Sequence, residues 1–217
     1  MTEVRSIFGA IIHAVKCTRM DLAFPVSLVG RYLEYWNAWS QLELQHILGY
    51  IAHSVGYKLH FTNKADMWED LWLEGYADAS VGAPRSDGGR LLLATGKYGS
   101  SYPLTWRSKR QATAATSPGD AECIEWSGTA KDALRVSEMF DYTRMSNIDI
   151  FGYTDNDATR LAVARGSSQK LGHLRKTAQV NFEYLSTCGI VLRRVDTSVN
   201  PADMFTKTLS SRRLQAL

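Results

Sequence analysis

Cysteine and histidine are scarce in this chain, three and five among 217 residues. Cys17, Cys123 and Cys188 are odd in number, far apart and without a Cys-x-x-Cys spacing, which excludes a disulfide framework and a zinc ribbon. They are expected to be small buried hydrophobes of a reducing compartment. His13, His46, His53, His60 and His173 show none of the paired spacings of a nitrogen-ligated metal site. No apolar run approaches the ~20 residues of a membrane span. The opening Met1-Thr-Glu-Val-Arg-Ser lacks a signal-peptide hydrophobic region, so the expectation is an intracellular protein without a membrane partner. Internal repeats and low-complexity stretches are absent as well.

Apolar residues make up 45% of the chain, with six Trp and ten Tyr, enough for a buried core. The net charge is only +3, but from Arg160 onward ten Lys or Arg face three acids. Positive charge concentrated in one segment suits a polyanionic partner; a solvated basic surface is the plainer alternative.

Periodicity divides the chain. Residues 1–66 read as helical, with Ile7, Phe8, Ile11, Ile12 and Val15 at helical spacing, and again Leu44, Ile47, Leu48 and Ile51. Residues 21–33 begin with an acid and place Pro25 in a first turn. The polar, aperiodic stretch 62–70 is the best boundary, which leaves 67–217 as a second unit. There, residues 71–80, 90–95 and 101–106 read as three strands with short links, an antiparallel meander, and 82–89 as a turn-rich loop. A long helix follows Ser117-Pro118, with Cys123, Trp126, Ala130, Ala133 and Leu134 on one face. A strand (147–154), helices (156–165 and 170–186), a fifth strand (189–195) and a final helix from Asn200-Pro201 complete the order βββαβα(α)βα. The fold class is α/β (α+β): a mixed five-stranded sheet flanked by helices, preceded by a helical segment.

Four acids fall at positions from which such a chain could aim carboxylates at one point: Asp78 in the first strand, Glu122 early in the long helix, Asp155 at the end of the fourth strand, and Asp203 at the start of the last helix. Hard divalent cations need oxygen ligands from several segments, and that need points to metal-dependent phosphodiester cleavage. Each acid also has a plainer reading. Asp155 could cap the next helix, and Glu122, with Asp120 and Glu125 beside it, could serve the helix dipole. Asp203 could belong to a capping-box variant with Asn200 and Pro201. Asp78 is the hardest to explain away, because an unpaired carboxylate within an apolar strand is costly.

The runs Tyr76-Ala-Asp-Ala79, Trp106-Arg-Ser-Lys-Arg-Gln111, Ala121-Glu-Cys123, Tyr153-Thr-Asp-Asn156 and Asn200-Pro-Ala-Asp-Met-Phe-Thr-Lys207, in this order, resemble the RNase H domain of copia-type LTR retrotransposon Pol polyproteins. Cys17-Thr-Arg-Met-Asp-Leu-Ala-Phe24 and His46-Ile-Leu-Gly-Tyr-Ile51 resemble the connection from reverse transcriptase to that domain, and no Tyr-x-Asp-Asp polymerase run occurs. The resemblance implies an RNase H-like fold and cleavage of the RNA strand of RNA–DNA hybrids. It implies two Mg²⁺ ions, with Mn²⁺ as a substitute, on Asp78, Glu122, Asp155 and Asp203. The polymerase region of the same polyprotein would be a partner. Arg107, Lys109, Arg110, Gln111, Asn156, Arg175 and Lys176 would contact the nucleic acid, and no histidine occupies the loop before the last helix. Two other readings stand beside this one: a catalytically silent hybrid-binding or connection module of a decayed reverse transcriptase, and a nuclease of similar fold such as an integrase or resolvase.

Overall fold

A computed structural model describes residues 2–82, 84–143, 148–166 and 176–214, with the side chains of 176–180 and of 182 outside the description. Three helices come first, α1 (Thr2–Cys17), α2 (Ala23–Gly30) and α3 (Ala38–His53). The meander follows as β1 (Leu71–Ser80), β2 (Asp87–Gly96) and β3 (Ser101–Arg110), then α4 (Pro118–Tyr142), β4 (Ile150–Thr154), α5 (Asp157–Arg165), α6 (Lys176–Thr187), β5 (Val191–Arg194) and the short α7 (Ser211–Leu214). The sheet runs β3-β2-β1-β4-β5, antiparallel across β1, β2 and β3 and parallel across β1, β4 and β5. This is the mixed five-stranded sheet that the order of elements predicts.

β1 lies at the centre, and its two faces meet different partners. Leu73, Gly75 and Ala77 are buried on the side of α4, while the alternate residues, Asp78 among them, face the other way. Ser117 caps α4, its Oγ accepting from the Asp120 N–H at 3.2 Å, and Pro118 suits the first helical position. Trp126, only 1% exposed, then seats its ring against the sheet. A Cβ on Gly152 would stand 2.6 Å from that ring, so the bare backbone of β4 is what lets α4 approach so closely.

The first three helices have their own apolar cluster of Phe8, Ile11, Leu22, Val26, Val29, Leu44 and Ile47. A second cluster ties them to the sheet, where Ala23 meets Leu91, Met204 and Phe205, flanked by Val15, Tyr76 and Trp106. The Trp106 indole donates to the Val15 carbonyl at 2.8 Å, and Arg31 pairs with Asp87. The polar stretch before β1 is anchored as well: the Asp66 carboxylate accepts from the N–H groups of Tyr98 (2.6 Å) and Ser100 (2.9 Å) in the β2–β3 turn.

Several expectations need correction. β2 begins at Asp87, inside the presumed loop, and β3 continues to Arg110, so Arg107 and Lys109 lie in the strand and not after it. Asn200 opens a 3₁₀ turn, Pro201–Phe205, and not an α-helix; its side-chain oxygen accepts from Ala202 N–H at 3.1 Å, and Thr206 ends it. Cys17, expected to be buried, is exposed at the end of α1.

Candidate metal centre

β1 and β4 are parallel neighbours whose pairing ends at Tyr76 opposite Tyr153. Asp78 and Asp155 lie two residues beyond that couple on each strand, so the register fixes both at the same level of the sheet. Ser117 starts α4 at that same end, and Glu122 reaches in from the helix's second turn. Asp78, Glu122 and Asp155 each bring a carboxylate oxygen within 4.8 Å of the others. These are hard oxygen donors from three separate elements, the set that a divalent cation such as Mg²⁺ or Mn²⁺ prefers.

Among the described residues, two members of this trio, Glu122 and Asp155, have no basic partner, whereas Asp78 has Lys207 at 3.3 Å. Glu122 accepts a hydrogen bond from the Asn156 amide at 2.9 Å, with the Thr154 hydroxyl farther off at 3.5 Å. Among the described residues, no lysine or arginine pairs with Glu122 or Asp155. Burial, reinforced by the negative charges of Asp155 and Asp78, pushes the Glu122 carboxyl up to about 7, against the pull of the Asn156 hydrogen bond. A group in that state gains from any cation that arrives.

Asp203 is placed differently. It is 1% exposed on the 3₁₀ turn, and both of its oxygens are taken: Oδ1 by Lys207 Nζ at 2.6 Å, Oδ2 by Arg213 Nη2 at 2.5 Å. The Lys207 ammonium also stands 3.3 Å from Asp78 Oδ2, to which the Thr206 hydroxyl donates. Burial and the nearby Asp78 raise Asp203 above the usual carboxylate range even so. Three of the four predicted acids therefore converge. The fourth is adjacent, joined to Asp78 through a lysine.

The predicted nucleic-acid contacts divide as well. Arg107 and Lys109 are exposed on β3 at the sheet's edge, and Arg110 is half-buried. Gln111 is turned inward: it is 4% exposed, and its amide donates to the Ala121 carbonyl at 2.7 Å and to Glu125 at 3.0 Å. Its donors are spent on holding the start of α4. Asn156 both caps α5, accepting from Ala158 and Thr159, and orients Glu122. Arg175 lies outside the described residues, and Lys176 is described only as the first backbone position of α6. Sequence reasoning gave no role to Lys207, Arg213 or Thr206. The i, i+4 spacing of Asp203 and Lys207 was a readable signal for the first; nothing local marks the other two.

No protein-family model matches the chain. It is similar to the retrovirus-related Pol polyprotein from transposon TNT 1-94 of Nicotiana tabacum, 26% identical over 94% of this chain and 15% of that protein's length. It is also similar to secreted RxLR effector protein 161 of Plasmopara viticola, 30% identical over 59% of this chain and 87% of that one. Among solved structures, RNase H1 of the archaeon Halobacterium salinarum NRC-1 superposes with a TM-score of 0.42 and 14% identity, covering 61% of this chain and 92% of that one.

Proposed function

The chain belongs to the family of retrovirus-related transposon Pol polyproteins, of which it carries the RNase H region, and on that premise we propose that it cleaves the RNA strand of RNA–DNA hybrids with the help of divalent cations. The observation that supports this reading is the convergence of Asp78, Glu122 and Asp155, of which Glu122 and Asp155 have no basic partner among the described residues. Those three residues would hold a Mg²⁺ or Mn²⁺ ion. Such an ion supplies Lewis-acid polarisation of the scissile phosphate and a more acidic bound water.

The protein's own residues supply position and charge. Asn156 fixes Glu122, and the Thr206 hydroxyl fixes Asp78, so neither carboxylate is free to rotate away from the trio. Arg107 and Lys109, exposed on β3, would hold backbone phosphates without reading sequence. A hybrid of A-like shape is recognised by its groove and its 2′-hydroxyls. Asp203 would join a second ion's shell only by giving up Lys207 or Arg213. Residues 1–66 would be the connection from the polymerase region of the same polyprotein, which would be a partner of this unit.

The test is a substrate panel. Purified protein is incubated with labelled hybrid, duplex RNA, duplex DNA and junction DNA, in Mg²⁺, in Mn²⁺ and with chelator. The expected result is cutting of the hybrid's RNA strand alone, leaving 3′-hydroxyl and 5′-phosphate ends, and abolished by chelation. Hybrid binding without cleavage in either metal replaces the reading with a silent binding module. Cutting of duplex or junction DNA replaces it with another nuclease.

A further inference from the structure

Lys207 is the one basic side chain that touches two members of the acidic group, standing 2.6 Å from Asp203 and 3.3 Å from Asp78 among the described residues. We propose that its ammonium is the resident second cation of this site: the free protein takes one divalent ion on Asp78, Glu122 and Asp155, and a second takes hold only where Lys207 is removed. The inference rests on the proposed metal-binding role of the three carboxylates and refines how many ions they and Asp203 accept.

The geometry favours this division. Asp78 shares Oδ2 between the Thr206 hydroxyl and Lys207, and among the described residues no protein donor reaches Oδ1. Asp78 thus keeps one oxygen without a protein donor among the described residues, while the other is shared between Thr206 and Lys207. Asp203, almost fully buried, could not remain ionised without compensation. Two cations supply it, and they are not equivalent. Arg213 is tied down a second time by donating to the Thr197 carbonyl at 2.7 Å. Lys207 ends a flexible four-carbon stem, and of the two cations it alone extends to Asp78. A divalent ion placed between Asp78 and Asp203 would meet an ammonium already there, and like charges a few ångströms apart repel strongly in a partly buried site. The plainer role, an ion pair that pins the C-terminal segment, predicts no effect on the number of ions bound.

Counting ions separates the two. Mn²⁺ binding to the full chain is followed by the electron paramagnetic resonance of free Mn²⁺ and by calorimetry. Wild type should take one ion in its tight phase. Lys207→Met should take two, the second at least about tenfold tighter than any second ion on wild type. Lys207→Arg, which keeps the charge, should remain at one. Two ions of comparable affinity on wild type would overturn the proposal, and so would a folded Lys207→Met that still binds one. If Lys207→Met does not fold without metal, the wild-type count decides alone. Asp155→Asn tests the underlying reading separately: retention of the tight ion in that variant removes the three-carboxylate site itself, whatever Lys207 does.

Discussion

Asp78 stands between two halves of one acidic cluster that treat buried carboxylates in opposite ways. Toward α4, Glu122 is 8% exposed and receives only neutral donors, and its proton affinity rises accordingly. Toward the C-terminal segment, Asp203 is buried even more deeply and has a cation on each oxygen. The same residue class at similar depth is left uncompensated in one half and neutralised in the other. Burial alone therefore does not separate the two halves; the counter-charge does. On the proposed function, the first half would take a cation from outside, whereas the second already contains its own.

The largest effect should come from the open half. Asp155→Asn removes one charge from the trio while keeping shape, and cleavage of a hybrid in Mg²⁺ should fall by on the order of 100-fold or more, with hybrid affinity little changed. Unchanged turnover would erase the contrast between the halves. Glu122→Gln tests the same half without metal. Because the folded carboxyl sits near 7 and the unfolded one near 4.5, the folded state holds the proton more tightly. Wild-type stability should then be full below about pH 4.5, decline as pH rises toward 7, and level off above it. The glutamine variant lacks that decline, so in chelator it should be the more stable protein at pH 8, by on the order of 3 kcal/mol at most, with no difference at pH 4. Denaturant titrations at the two pH values decide it; a gap independent of pH would mean that Glu122 is not held neutral by its surroundings.

Much of the open half was legible in the sequence, because strands and strand ends are local signals. β1 spans the predicted residues, with Asp78 within that apolar strand, and Asp155 follows where the fourth strand ends. The neutralised half was not legible. Arg213, in the short α7, reaches Asp203 from ten residues away, and no periodicity encodes that. Glycine misled in a different way. Gly88 and Gly89 look like turn residues, yet they are strand residues packed from both sides, by Glu125 on one face and by Phe205 on the other. Their lack of a side chain serves close packing, which a single sequence cannot distinguish from a turn.

Gly89 is also the hinge of the comparison, since it pairs with Asp78 and lies under the segment that carries Asp203. A Cβ there would stand 2.5 Å from Phe205 Cβ and 2.8 Å from Thr206 Cγ2, with the Ala202 carbonyl at 3.0 Å. Gly89→Ala should lift the 3₁₀ turn away from the sheet and cost about 1–3 kcal/mol. It should also weaken the bond from Thr206 to Asp78, so Mn²⁺ affinity should drop together with the melting temperature. A drop in stability with metal affinity intact would show the two halves to be mechanically independent.

The smallest expected change concerns Gln111, and it sharpens the line between residues that shape the pocket and residues that hold nucleic acid. Its amide donates to Ala121 and Glu125, on either side of Glu122 in α4, and its own backbone N–H reaches the Ser86 carbonyl at 2.8 Å. Gln111→Ala removes both side-chain bonds. The Ala121 carbonyl keeps its helical partner, whereas Glu125, whose carboxyl is already raised by burial, loses the bond that opposed the shift. The cost should be about 1–2 kcal/mol of stability, with hybrid affinity unchanged at fixed salt. Lys109→Ala should do the reverse, leaving the melting temperature in place, weakening binding evenly across sequences and lowering the salt slope by about 1. If Gln111→Ala instead altered the salt slope and spared stability, its amide would belong to the substrate face after all. The start of α4 would then need another anchor to keep Glu122 turned toward Asp78 and Asp155.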